Sequence, residues 1–301
     1  MTATSTVTRR RIFELLGAAT LAATTPPHGR AADDKKGRKV LFFTKSAGFE
    51  HDPVKRNGAN PSLSEITLTG IGKRHGFEVV ATKDGRVFDG DLAPYDAFFF
   101  FTTGDLTERG TDATPPMSMH GKAALLAAIR GGKGFIGVHS ASDTFHSTGG
   151  QFETQEEPDP YIAMLGGEFI SHGNQQEARV RVADPKFPGL HGSGEDFKIK
   201  EEWYSLKNFA KDIHVLLVLE TDGMQDAEYR RPPFPLAWVR GEGKGRVYFN
   251  AMGHREDVWT SERFQEMLAG AVAWATGAAE AELTANMSKV TPQAGVMPPE
   301  N

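Results

Sequence analysis

The chain contains no cysteine, which removes disulfides, thiolate metal sites and every cysteine-nucleophile mechanism at once. It also lacks an excess of positive charge. Lys and Arg number 34 against 39 Asp and Glu, a formal net charge of -5, so no broad basic field exists to hold a phosphate backbone or an anionic membrane surface. Nucleic acid is therefore not an expected partner. No apolar run reaches the ~20 residues that a membrane-crossing helix needs. What is present is a chain of 301 residues with 39% hydrophobic content, enough for one full α/β core. Its chemistry must come from His, Asp, Glu, Ser, Tyr or a metal.

The first 32 residues read as separate from that core. Arg9-Arg10-Arg11-Ile12-Phe13 stands ahead of a short Leu- and Ala-rich run at residues 15–23, and Ala31-Ala32 offers small residues for cleavage. This is the pattern of a twin-arginine export signal, and it predicts a periplasmic or secreted protein. A lipid anchor on cysteine is impossible. Twin-arginine export carries folded proteins, which favours a metal or cofactor loaded beforehand. Residues 33–38 read as a linker, 39–277 as the domain and 278–301, rich in Ala, Pro and polar residues, as a loose tail.

Within the domain, Val40-Leu41-Phe42-Phe43-Thr44 is a continuous apolar run of buried-strand length. Leu63, Ile66 and Ile71 recur at near-helical spacing up to Gly76, and residues 77–81 are strand-like again. Residues 95–101 supply a third strand, 117–130 a helix ended by Gly131-Gly132, and 134–138 a fourth strand. This alternation predicts a doubly wound, mostly parallel sheet. After residue 175 the pattern turns β-rich, with strand-like segments at 178–182, 213–219, 236–239 and 245–250. These are expected to extend the sheet, partly antiparallel. Residues 261–276 read as a closing helix, with Phe264, Leu268, Ala271, Val272 and Ala275 on one face.

Ligands of doubly wound sheets sit at the carboxyl ends of the parallel strands, and histidines stand there repeatedly. His51-Asp52 follows the first strand, and His139 to Asp143 the fourth. Ser171-His172-Gly173, Glu201-Glu202-Trp203-Tyr204 and Gly253-His254 come later. One loop histidine is more often structural than functional, but strand-end placement and recurrence mark these as a group. His146 belongs to the rim of the same region, and His75, His120, His191 and His214 read as structural.

The segments Gly48-Phe49-Glu50-His51-Asp52, Thr102-Thr103-Gly104-Asp105-Leu106 and Gly134 to Asp143 resemble, in order, the pattern of the ThuA-like, or trehalose-utilisation, family. So do Gly166 to His172, Glu202-Trp203-Tyr204 and Gly253-His254. The resemblance implies a flavodoxin-like fold of the class I glutamine amidotransferase type, in which the sharp turn after the fourth strand carries a nucleophilic cysteine. Here His139 stands at that place, which excludes glutaminase chemistry. The family resemblance alone supplies the substrate class: a disaccharide or glycoside, or its 3-keto form, acted on by hydrolysis, elimination or isomerisation.

Two readings of the cluster stay open. Neutral imidazoles and a carboxylate suit zinc or a similar divalent ion, with His139, His172, Glu202 and His254 as candidate ligands. Alternatively His51, His139, Asp143, Glu202 and His254 act without metal as acids and bases. Asp52 and Asp143 would orient His51 and His139, or cap helices. Trp203 and Tyr204, with Asp52 and His172, would line a sugar site, although both rings suit the core equally. A serine hydrolase using Ser140 is a further alternative, weakened because its neighbours do not form Gly-x-Ser-x-Gly. A noncatalytic sugar-binding protein is the rival from another class. The sequence fixes no oligomeric state.

Overall fold

The computed structural model describes residues 1–2, 37–192, 194 and 196–300. Residues 3–36, which carry the expected export signal and most of the linker, lie outside the described residues. The first apolar run becomes β1 (Arg38–Phe43), fully buried from Val40 onward. Then come α1 (Leu63–His75), β2 (Phe77–Thr82), β3 (Ala97–Phe100), α2 (Met119–Arg130) and β4 (Gly134–Val138), the expected alternation. Helix α1 starts where Ser62 and Glu65 satisfy each other's backbone N–H groups in a capping box. It stops at Gly76, whose φ of 74° suits a residue without Cβ.

The C-terminal half is richer in strands than its apolar runs indicate. It contains α3 (Pro160–Leu165), β5 (Glu168–His172), β6 (Gln176–Val182), β7 (Asp196–Glu201), β8 (Tyr204–Lys207), β9 (His214–Glu220), β10 (Phe234–Glu242) and β11 (Gly245–Asn250). The helices α4 (Glu256–Thr260), α5 (Glu262–Ala275) and α6 (Met287–Val290) follow. One large sheet runs β2-β1-β3-β4-β11-β10-β9-β6-β7. Its first five strands are parallel and the remainder antiparallel. Strands β5 and β8 pair apart from it as an antiparallel ribbon. The expected class, a mostly parallel doubly wound sheet with β-rich additions, is the one observed.

Successive strand residues point to opposite faces, and the phenylalanine runs show what covers each. Phe42 meets Trp259 of α4 and Phe99, while its neighbour Phe43 meets Phe88 and Phe100. Phe100 in turn packs on Tyr161 of α3, and Phe101 stacks on Trp259. Both faces of the central parallel strands β1, β3 and β4 are thus dry. Their functional groups can emerge only at the strand ends.

The tail is not loose. The side-chain amide of Asn286 pairs with both backbone groups of Val215 on β9, and Arg231 donates to Ala294 O at 2.7 Å. Thr291 and Ala294 are buried. Polar bonds to backbone, which a reading of apolar content does not register, hold this segment in place.

Candidate functional site

Four loops at the carboxyl ends of strands converge. His51 follows β1 and opens a 3-10 turn at Asp52–Val54. His139 directly follows β4 with φ of 46°, a left-handed conformation rare outside glycine and Asn, and begins the 3-10 turn His139–Asp143. Glu202 follows β7, and His254 follows β11 after Gly253, whose φ is 125°.

One donor atom from each of His51, His139, Glu202 and His254 lies within 4.8 Å of all the others. The three imidazoles stand nearly perpendicular to one another, with centroids 4.9 to 5.3 Å apart. His51, His139 and Glu202 are buried, and His254 half-buried. His139 Nδ1 lies 2.9 Å from Ala251 O, which accepts its proton and leaves Nε2 with a lone pair facing the cluster. Glu202 Oε2 approaches His254 Nδ1 at 2.9 Å and His139 Nε2 at 3.5 Å. Neither approach has hydrogen-bond alignment, and His51 Nδ1, His139 Nε2 and His254 Nδ1 are buried without a partner.

Electrostatics keep His51, His139 and Glu202 in the protonation states that ligands require. Burial lowers the pKa of His139, and burial with the neighbouring His139 and His254 pushes His51 well below the imidazole range. Burial would raise Glu202, but the imidazoles of His139 and His254 outweigh it and hold its carboxyl well below the usual range. Neutral imidazoles beside a carboxylate are a donor set suited to zinc or a similar divalent ion.

The site differs in several places from the sequence reading. His51, not His172, completes the four-donor set. His172 is half-exposed at the rim, its Nδ1 bonded to Gly173 O at 3.0 Å and 3.4 Å from Glu202 Oε1. Trp203 is not a sugar platform: it is fully buried, and its indole N–H donates to Gln176 O. An extended chain alternates its sides, so Glu202 and Tyr204 share the site face while Trp203 turns into the core. Tyr204 is buried beneath the cluster, its ring 4.1 Å from that of His139 and its hydroxyl 3.4 Å from His51 Nε2. It supports the imidazoles and leaves no face for a sugar. Asp52 is exposed in its own turn and makes no bond to His51. Asp143 orients His146, at 2.7 Å, and not His139. Ser140 is fully buried and its Oγ has no partner, so no base stands ready to activate it.

Glu201 was not singled out by the sequence reading. It is buried, and its Oε1 accepts the backbone N–H groups of both Glu202 and His254, at 3.1 and 2.9 Å. It therefore ties together two loops that carry donors. Burial pushes its carboxyl up to about 7. The available signal was the pair of adjacent acids at the end of a strand, where two carboxylates cannot both face water.

The structure is similar to a ThuA-like protein from Parabacteroides merdae ATCC 43184, at 19% identity and a TM-score of 0.57, covering 82% of this chain and 92% of that one. It is also similar to one from Bacteroides uniformis ATCC 8492, at 19% identity and a TM-score of 0.55, covering 82% and 95%. At these identities the likeness speaks for the fold. No curated protein matches the chain. The ThuA family model, described as trehalose utilisation, matches residues 39–275. This span takes in every loop that delivers a donor, and the chain belongs to the ThuA family, which implies a place in carbohydrate metabolism.

Proposed function

We propose that this protein is an exported enzyme of carbohydrate metabolism that acts on a disaccharide or glycoside, or its 3-keto form, at a divalent-metal centre. His51, His139, Glu202 and His254 are the ligands. The observation that carries the reading is the convergence of His51, His139 and His254 on the Glu202 carboxylate, one donor atom of each lying within 4.8 Å of the others, while each imidazole keeps a buried ring nitrogen without an aligned partner. Buried lone pairs without donors are costly, and one cation satisfies them together. A bound divalent ion would polarise a substrate carbonyl or hydroxyl and lower the pKa of a bound water.

The chain's own residues supply the rest. Ala251 O fixes the His139 tautomer, Tyr204 braces His139 and His51, and Glu201 holds the loops of Glu202 and His254. His172, half-exposed and beside Glu202, has Nδ1 turned to Gly173 O, which leaves Nε2 to take or give a proton at the ligand.

The test is elemental analysis of protein purified without a histidine tag or chelator, joined to a turnover assay on oxidised and unoxidised disaccharides. About one divalent ion per chain and chelator-sensitive release of monosaccharide are expected. Substoichiometric metal with chelator-resistant turnover would leave acid-base catalysis by the same residues. Saccharide binding without product would make this a binding protein. Export is supported by the Arg9 to Arg11 cluster and the apolar run after it. Mass spectrometry of the exported protein should show cleavage near Ala32, and changing Arg10 and Arg11 to Lys should block export.

A further inference from the structure

Among the described residues, Phe49 is the one Phe, Tyr or Trp ring that is largely exposed, at 68%. Its ring stands edge to face with that of His51, 5.0 Å away, so it borders the four-donor cluster. A single exposed ring on a mobile surface loop would need no explanation. This loop is pinned residue by residue. Ser46 N–H donates to Asp112 Oδ2 at 3.1 Å, and Ala47 N–H to Thr103 O at 2.8 Å. Thr111 Oγ1 donates to Gly48 O at 2.6 Å, and Thr103 Oγ1 to Phe49 O at 2.8 Å. Lys83 Nζ reaches both Glu50, at 3.0 Å, and Asp112, at 3.2 Å. Gly104, at φ of 73°, presses so close that a Cβ there would lie 2.7 Å from Gly48 N.

Lys45 and Lys83 are buried within this support, which is uncommon for lysine. Lys45 Nζ donates to Thr114 O at 3.0 Å and Lys83 Nζ to Thr44 O at 3.0 Å. The fold thus buries charge to hold rigid a short loop whose one aromatic side chain faces water. A ring held in advance loses little conformational freedom on binding. We propose that Phe49 is a specificity-determining platform: its face carries the apolar C–H face of a pyranose ring and delivers that sugar to the cluster at His51. This rests on the saccharide reading above and narrows it to cyclic sugars presented by one face.

The platform is tested by titrating the metal-loaded protein with methyl α-D-glucopyranoside, trehalose and the open-chain polyol sorbitol, by calorimetry or saturation-transfer NMR. Phe49→Ala should weaken the two pyranosides about 10-fold, the upper end of what an aromatic face contributes. It should leave sorbitol affinity and metal content unchanged. Phe49→Trp should retain pyranoside binding, and Phe49→Leu should lose it like alanine. Equal pyranoside affinity in wild type and Phe49→Ala overturns the platform while the saccharide reading stands. Equal affinity in wild type and Phe49→Leu overturns the aromatic role in favour of a simple apolar cover for His51. Absence of pyranoside binding in the wild type, with metal bound, overturns the saccharide reading and the platform with it.

Discussion

Two histidine–carboxylate clusters are built close together in the chain, and they differ in whether their nitrogens are satisfied. In the first, His146 places Nε2 2.7 Å from Asp143 and Nδ1 3.2 Å from Glu168. The Glu168 carboxylate also accepts from Ser147 N–H, Ser147 Oγ and Asn208 Nδ2. Hydrogen bonds to Asp143 and Glu168 raise His146 to about 9, and bonds to Glu168 outweigh its burial and hold it at about 2. In the second, around His139, three ring nitrogens are buried without partners. The same residue types thus make a closed ion-pair network in one place and an open donor set in the other. A closed network contributes to stability, whereas an open one has capacity left for a ligand.

The largest effect should separate the two clusters outright. His139→Ala should reduce divalent-metal affinity at least 100-fold, more than loss of an orienting partner costs, and should remove turnover. His146→Ala should keep full metal content. Metal-binding titrations on both variants, with circular dichroism to verify folding, decide it. Metal loss in both would mean that the clusters act as one.

A smaller effect belongs to the closed cluster. Glu168→Ala should destabilise the fold by about 1 kcal/mol, because the half-buried donors of Ser147 and Asn208 lose their acceptor. Urea unfolding of metal-free protein measures this without interference from the cluster around His139. A change within experimental error would show that water replaces the carboxylate.

The closed cluster should also impose a pH window. His146 is raised from 6.5 to about 9, so its contribution is complete below pH 6.5 and is lost as pH rises through 9. Glu168 is depressed from 4.5 to about 2, so its contribution is complete above pH 4.5 and is lost as pH falls through 2. The stability difference between wild type and His146→Ala should therefore be greatest between pH 4.5 and 6.5 and vanish above about 9. A difference that grows with pH would contradict the pairing. The smallest effect is expected for Ser140→Ala. Removing an unpaired buried hydroxyl should change stability by less than about 1 kcal/mol and spare turnover; complete loss of turnover would revive the serine nucleophile.

The parallel half was legible because strands buried on both faces must be continuously apolar, as residues 40–44 and 134–138 are. Strands β5 and β7 were less legible because they are only partly buried and carry polar residues, and β8 because it is four residues long and mixes Ser and Lys with its apolar residues. His139, Glu202 and His254 could be picked out because strand ends are where side chains leave the dry core. The assignment of partners could not. Asp143 lies four residues from His139, yet its carboxylate turns to His146, while a backbone carbonyl at Ala251 orients His139.

The sequence by itself determined the alternation of strands and helices, the absence of thiol chemistry and the set of polar residues brought to one edge of the sheet. Each follows from composition and period, which are local properties. Only the tertiary structure decided that His51 replaces His172 among the four donors, that Trp203 turns inward, and that residues 278–300 dock. Those outcomes depend on a few ångströms between loops distant in the chain, and on hydrogen bonds whose partners no local pattern specifies.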